Sequence, residues 1–196
     1  MKSLRTALAR AVCAAVLTGC AQRPMRTPMT AAEAEQARAV ASKPVPPMTE
    51  AEARKHHVGV TRVSFMPGHG TQVSYLAPDG TGRLWYPGNA AVLANEWKFG
   101  KPKAPSPGFL PAPLPASMLK DTLICFKYPE GSVNRYAYQP AGRFNCVSAS
   151  RLAAYDVDSA PGDAFGLMAR AEAPFVLSKD RTTVAALKEK IAGGGR

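Results

Sequence analysis

The chain has 196 residues, with 25 Lys and Arg against 14 Asp and Glu and a formal net charge of +11. That length suits one domain with a real core rather than two. The basic residues are scattered singly or in pairs, as at Arg54-Lys55 and Lys188/Lys190. The concentrated stripe or recognisable module of a nucleic-acid binder is therefore missing, and the basic balance points to anionic lipid or polysaccharide surfaces.

Lys2, Arg5 and Arg10 make a basic start, and residues 11–17 are apolar and uncharged. A membrane span needs roughly 20 such residues, so this run suits the apolar region of a signal peptide instead. It ends in Leu17-Thr18-Gly19-Cys20, which resembles the lipobox of bacterial lipoproteins. The resemblance implies acylation of the Cys20 thiol, cleavage of residues 1–19, and a mature chain held on a membrane by its first residue. Cys13 would leave with the signal peptide, and 22 basic against 14 acidic residues would remain, a net of +8. Ala21 stands where many inner-membrane lipoproteins carry aspartate, which favours the outer membrane and a periplasm-facing domain.

Residues 20–48 read as a flexible tether. Thr30 and Glu33 spell a capping box, but residues 34–41 offer little apolar surface to bury, so a marginal helix or disorder is expected. Pro44, Pro46 and Pro47 follow as a stiff spacer. Thr49 and Glu52 repeat the capping signal and start a short helix over 50–57, with Gly59 closing it. His56 and His57 at its end are adjacent, point about 100° apart, and lack a third ligand at helical spacing, so they are read as solvated rather than metal-binding.

From residue 58 the pattern changes to period two. Strands are expected over 58–65, 71–77, 82–86, 92–99, 122–128 and 143–148, with weaker ones over 151–157, 164–169 and 174–178. Pro78-Asp79-Gly80 specifies a three-residue hairpin loop. It sets Tyr75 opposite Arg83 and Val73 opposite Trp85, and because both faces of this hairpin carry apolar residues it belongs in the middle of a sheet. In 92–99, Asn95, Trp97 and Phe99 share the inward face. Residues 101–115, with six prolines, exclude a central strand or helix and read as an exposed polyproline-like arm or a plain long loop. Thr182 or Thr183 caps a last helix to about Ile191, and residues 193–196 are a tail. The fold class is mainly β: one small antiparallel sheet curled toward a barrel or sandwich, with short helices at both ends, over 49–192.

The order Thr49-x-x-Glu52, Tyr75-Leu76-x-Pro78-Asp79-Gly80-Thr81, Trp97, Leu123-Ile124-Cys125-Phe126-x-Tyr128 and Cys146 resembles a loose class of small exported proteobacterial proteins. That resemblance covers roughly 49–146 and implies a β-rich exported domain without an activity.

Chemistry is sparse. His69 sits in a glycine-flanked turn, and no Gly-x-Ser-x-Gly nucleophile elbow or phosphate-cradling glycine loop occurs. Asp156, Asp158 and Asp163 read as a solvated loop rather than a calcium site. No enzyme activity, cofactor or metal is expected. Tyr75, Trp85, Tyr86 and Trp97 are either an aromatic platform for glycan or peptide, or core at strand spacing. Cys125 and Cys146 are the only thiols left once Cys13 is removed and Cys20 acylated. In an oxidising compartment they are expected to form a disulfide, the alternatives being a reactive pair or two buried thiols. The expected function is a membrane-anchored, non-enzymatic lipoprotein that binds or helps assemble envelope components, its partner an envelope protein or cell-wall polymer. The second reading is an inhibitor or accessory of a cell-wall hydrolase.

Overall fold

The computed structural model describes residues 29–102, 120–130 and 141–194. The lipobox, Cys20 and most of the proline-rich segment lie outside these residues. Two helices come first, α1 (Ala31–Ser42) and α2 (Glu50–His57), each with its threonine–glutamate capping box complete. Seven strands follow: β1 (Val60–Met66), β2 (Gly70–Leu76), β3 (Thr81–Trp85), β4 (Leu93–Gly100), β5 (Leu123–Lys127), β6 (Asn145–Ser148) and β7 (Asp156–Pro161). Between β6 and β7 lies α3 (Ala149–Ala153). A 3-10 turn (Leu167–Ala169) and α4 (Val184–Ala192) close the chain.

All seven strands form one antiparallel sheet in the order β6-β5-β4-β3-β2-β1-β7. The first six make a meander, and β7 returns to pair with β1. Laid flat, such a sheet would separate β6 from β7 by about 29 Å. Only residues 149–155 join them, and five of these are helical, a rise of about 7.5 Å. The link is too short for a flat sheet, so the sheet curls into a half-barrel.

The curl divides the core by strand parity. On the outer face Val63, Val73 and Trp85 pack under residues 165–187, with Phe165, Leu167, Leu177, Val184 and Leu187 completing a cluster. On the inner face, toward the end where Gly100 and Leu123 pair, Leu76, Trp97 and Ile124 pack against Ala53 of α2 and Ala149 of α3. Farther along the same face Leu84 meets Tyr86 and Tyr128.

The hairpin registers as the sequence requires: Val73 pairs with Trp85 and Tyr75 with Arg83. Gly80 takes φ +87° while Asp79 Oδ1 accepts from the Thr81 amide and hydroxyl. This hairpin lies centrally in the sheet.

Several expectations are corrected. The segment 151–157 is not one strand, because the Ser148 hydroxyl accepts from the Arg151 amide and starts α3. Pairing with β1 begins at Asp156 and runs to Pro161, farther on than the sequence suggested. The segment 164–169 is a loop and a 3-10 turn, since the Asp163 carboxylate accepts from the Leu167 and Met168 amides. Residues 174–178 form no strand and lie over the outer face of the sheet, where Leu177 joins the cluster of Val63, Val73 and Trp85 and its carbonyl accepts from the Gly88 amide. Of the two alternatives for the segment after Thr30, the helix is the one formed: 31–42 is helical although none of its residues is fully buried; Arg151 donates to the Lys43 carbonyl at 3.0 Å, and Met29 lies against Gly68. Met48, placed in the tether by sequence, belongs to the domain: its amide donates to Asp121 and its carbonyl accepts from Thr122.

Cys125 and Cys146 face each other directly in the β5–β6 ladder and form a disulfide. Cys125 is buried and Cys146 exposed. The bridge closes a loop with a sequence separation of 21, which in the chain-entropy treatment stabilises the fold by about 3 kcal/mol. Urea unfolding with and without a thiol reductant should show a loss of that size, with β5–β6 amides losing hydrogen-exchange protection first.

Candidate functional site

Three polar arrangements sit inside the half-barrel, two of them closed. The first is centred on Arg62 of β1. Its guanidinium donates through Nε to Asp156 Oδ2 at 2.8 Å and through Nη2 to Asp156 Oδ1 and the Leu152 carbonyl. Nη1 donates to His57 Nδ1, and His57 Nε2 donates to the Ala149 carbonyl at 3.1 Å. This arrangement fixes the neutral tautomer. Burial first, then the Arg62 charge and His56, pull the His57 pKa from 6.5 down to about 3, against a smaller opposing effect of the Ala149 hydrogen bond. His57 is therefore not a solvated helix end: it is fully buried and clamps α2 to α3 and β1. His56 does lie outside, with Nε2 2.8 Å from Asp156 Oδ2.

The second arrangement is Asp121, which accepts from the Met48 amide at 2.8 Å, from Ser150 Oγ at 2.6 Å and from Ser148 Oγ. Burial raises its pKa, but these hydrogen bonds outweigh burial and hold it below the usual value. Every oxygen here is occupied, so this is a structural lock between residue 48, β6 and α3.

The three aspartates read as a solvated loop are structural as well. Asp156 pairs with Arg62, Asp158 Oδ2 accepts from the Val184 amide at the start of α4, and Asp163 caps the 3-10 turn. Among the described residues no three His, Cys, Asp or Glu side chains converge in a metal-binding group.

The aromatic platform is not formed. Trp85, Tyr86 and Trp97 are buried in three separate clusters, and only Tyr75 is partly open. Trp85 Nε1 donates to the Phe175 carbonyl, and Trp97 Nε1 donates to those of Ala77 and Thr81. Their polar edges are spent inside the fold, which is why these residues are core.

The third arrangement is open. Between Arg62 and the Tyr128 end of the inner face lies a cavity of about 140 Å³. Its apolar wall includes Leu76, Leu84, Phe126, Val147 and Leu152, and its polar wall Ser64, Gln72, Ser74 and Asn95. Asn95 is 6% exposed and its Oδ1 has no hydrogen-bond partner, the single such side-chain atom among the described residues. Buried acceptors are normally satisfied, and leaving one unmatched costs about 1–3 kcal/mol. The carboxamide lies over Gly82, its partner across the β3–β4 ladder; a Cβ on Gly82 would stand 2.5 Å from Oδ1 and 3.0 Å from Leu76 Cδ2. Gly82→Ala should therefore push the amide aside and lower stability by about 1–3 kcal/mol, measurable by thermal unfolding.

Two arginines line the cavity: Arg62, paired with Asp156, and Arg83, which donates to the Gly82 carbonyl. Arg62 is fully engaged, and burial together with Tyr86 raises the Tyr128 pKa, keeping its phenol protonated. His69, expected as a turn histidine in solvent, lines the cavity mouth beside Met66, with Gln72 Nε2 3.5 Å from its Nδ1. Sequence periodicity placed Asn95 on the inner face; the empty space beside it has no local signal.

No protein-family model matches the chain, and neither the curated proteins nor the solved structures contain a match.

Proposed function

We propose that the protein is a lipid-anchored, non-enzymatic binding component of the cell envelope, facing the periplasm, with the interior of the half-barrel as its ligand seat. The observation that carries the binding reading is the partly empty cavity inside the half-barrel, walled by both apolar and polar side chains. A core built only for stability would fill that space. The polar groups elsewhere inside the half-barrel are tied into closed networks, which leaves this cavity as the place where the fold is unfinished.

The anchor is supported by the lipobox residues Leu17 to Cys20. Met29 rests on Gly68, next to His69 and Met66 at the cavity mouth. The nine residues from Cys20 to Met29 span at most about 31 Å. An acylated Cys20 would thus hold the mouth close to the bilayer, where envelope components are delivered. Among the described residues no helix is long and apolar enough to cross a membrane.

The test is retention of envelope material by tagged mature protein from detergent-solubilised membranes. A cavity-filling variant, Ser74→Phe, serves as the comparison. Material retained by the wild type and lost in the variant supports the reading, and equal retention contradicts the cavity as the seat. A cell-wall hydrolase as the retained partner would favour the inhibitor function instead.

A further inference from the structure

Large apolar side chains left in water are ordinary when they are scattered singly over a surface. Among the described residues two are exposed, Met29 at 48% and Val176 at 54%, and both lie at one end of the sheet. Because the strands form a meander, the turns that follow β1 and β3 share that end. Met29 lies on the first of them, with Cγ and Sδ 2.3 and 2.4 Å from where a Cβ on Gly68 would stand. The segment carrying Val176 reaches both turns. The Leu177 carbonyl accepts from Gly88 after β3, and the Lys179 Cα stands 2.6 Å from the Cβ position of Gly70 after β1.

Exposed cations stand around these two residues. Arg181 lies over the Phe65 ring at 5.8 Å, Lys190 lies over the Phe175 ring at 4.5 Å, and Lys179 sits on the first turn. Apolar tips among long basic side chains make a surface suited to a lipid headgroup layer. Glu33, Glu172 and Asp180 are at the same end, so the apolar tips rather than net charge must carry a contact there. The origin of the chain selects a bilayer as the occupant. Cys20 precedes Met29 by nine residues, at most about 31 Å of chain. The opposite end of the sheet, at Gly80 and Gly100, lies roughly 20 Å farther off.

We propose that this end of the sheet is a membrane-contact surface. Met29 and Val176 enter the headgroup region of the bilayer that holds the acyl chains, and Lys179, Arg181 and Lys190 meet lipid phosphates. The acyl chains do the anchoring, and the contact fixes which end of the half-barrel faces the membrane. The cavity mouth, at His69 and Met66, is thereby set against the bilayer. This inference rests on acylation of Cys20.

The test places protein purified from membranes in nanodiscs of phosphatidylethanolamine and phosphatidylglycerol doped with a gadolinium headgroup lipid. Amide broadening is the readout, and the intact mass of the same sample reports acylation. The amides of Gly68, His69, Val176 and Lys179 should broaden strongly, and those of Gly80, Gly100 and Leu123 should not. Met29→Ser with Val176→Ser changes two exposed side chains, so the fold is kept. It should weaken docking about tenfold or more, read as loss of that broadening with the acyl mass unchanged. Equal broadening at both ends of the acylated wild type, or unchanged broadening in the double variant, overturns the inference and leaves the anchor standing. A chain without acyl mass overturns the anchor and the inference together. A dimer joined through Met29 and Val176 in lipid-free detergent also overturns it, because a second copy would then cover this end.

Discussion

Arg62→Met is expected to lower the stability of the domain by about 3–5 kcal/mol, the usual cost of removing one partner from a buried ion pair. Arg62 is 3% exposed and holds four partners: both oxygens of Asp156, His57 Nδ1 and the Leu152 carbonyl. Methionine fills similar volume, so a cavity does not explain the loss. What remains is a carboxylate, 15% exposed, facing the protein without its cation, and a histidine nitrogen without its donor. The double variant Arg62→Met with Asp156→Leu should recover part of the loss, because the orphaned charge is gone. Urea unfolding of the single and double variants measures both. Equal stabilities for Arg62→Met and wild type would show that Arg62 does not join α2, α3 and β7 to β1.

The second large effect is a loss of stability in mild acid. His57 has a folded pKa of about 3 against 6.5 unfolded, so it is a histidine whose pKa folding depresses. Between those values the unfolded chain binds a proton that the folded chain refuses. Stability is then fully present above pH 6.5 and falls as pH drops toward 3, by about 1.4 kcal/mol per unit. From pH 7 to pH 5 the loss should be about 2 kcal/mol. The groups facing His57 are Arg62, His56 and, through Arg62, Asp156. Asp121, held below the usual carboxylate value by its hydrogen bonds, stays ionised in that range. His57→Gln can still donate to the Ala149 carbonyl and accept from Arg62 without titrating. Its stability should be flat between pH 7 and pH 5, and a slope equal to wild type would contradict the assignment.

Parts of this structure were legible in the sequence because their causes are local. Pro78-Asp79-Gly80 is a turn whose chemistry sets its own register, and the pairings of Val73 with Trp85 and Tyr75 with Arg83 follow from it. Both capping boxes and the cap of α4 at Thr183 are equally local. The Cys125–Cys146 bridge could be reasoned from elimination and compartment. What sequence missed depends on partners far away. His57 meets Ala149, 92 positions on, and Arg62 meets Asp156, 94 positions on. Nothing near either residue distinguishes a buried clamp from a solvated helix end or an outward-facing arginine. The same holds for β7: the segment 151–157 has strand-like residues, but Ser148 caps a helical turn first and delays pairing to Asp156. Asn95 could be assigned an inward face from alternation with Trp97 and Phe99. That its oxygen would be buried over Gly82 without a partner depends on the register across the ladder and on how far the sheet curls. The cavity is thus a property of the closed half-barrel rather than of any segment.

The most direct test of the account as a whole is the intact mass of the protein purified from the membrane fraction of cells that make it. The predicted species begins at Cys20, carries the added mass of two or three acyl chains, and shifts to an unacylated, unprocessed form in Cys20→Ser. A wild-type species that begins at Met1 without acyl mass, recovered from the soluble fraction, would contradict it.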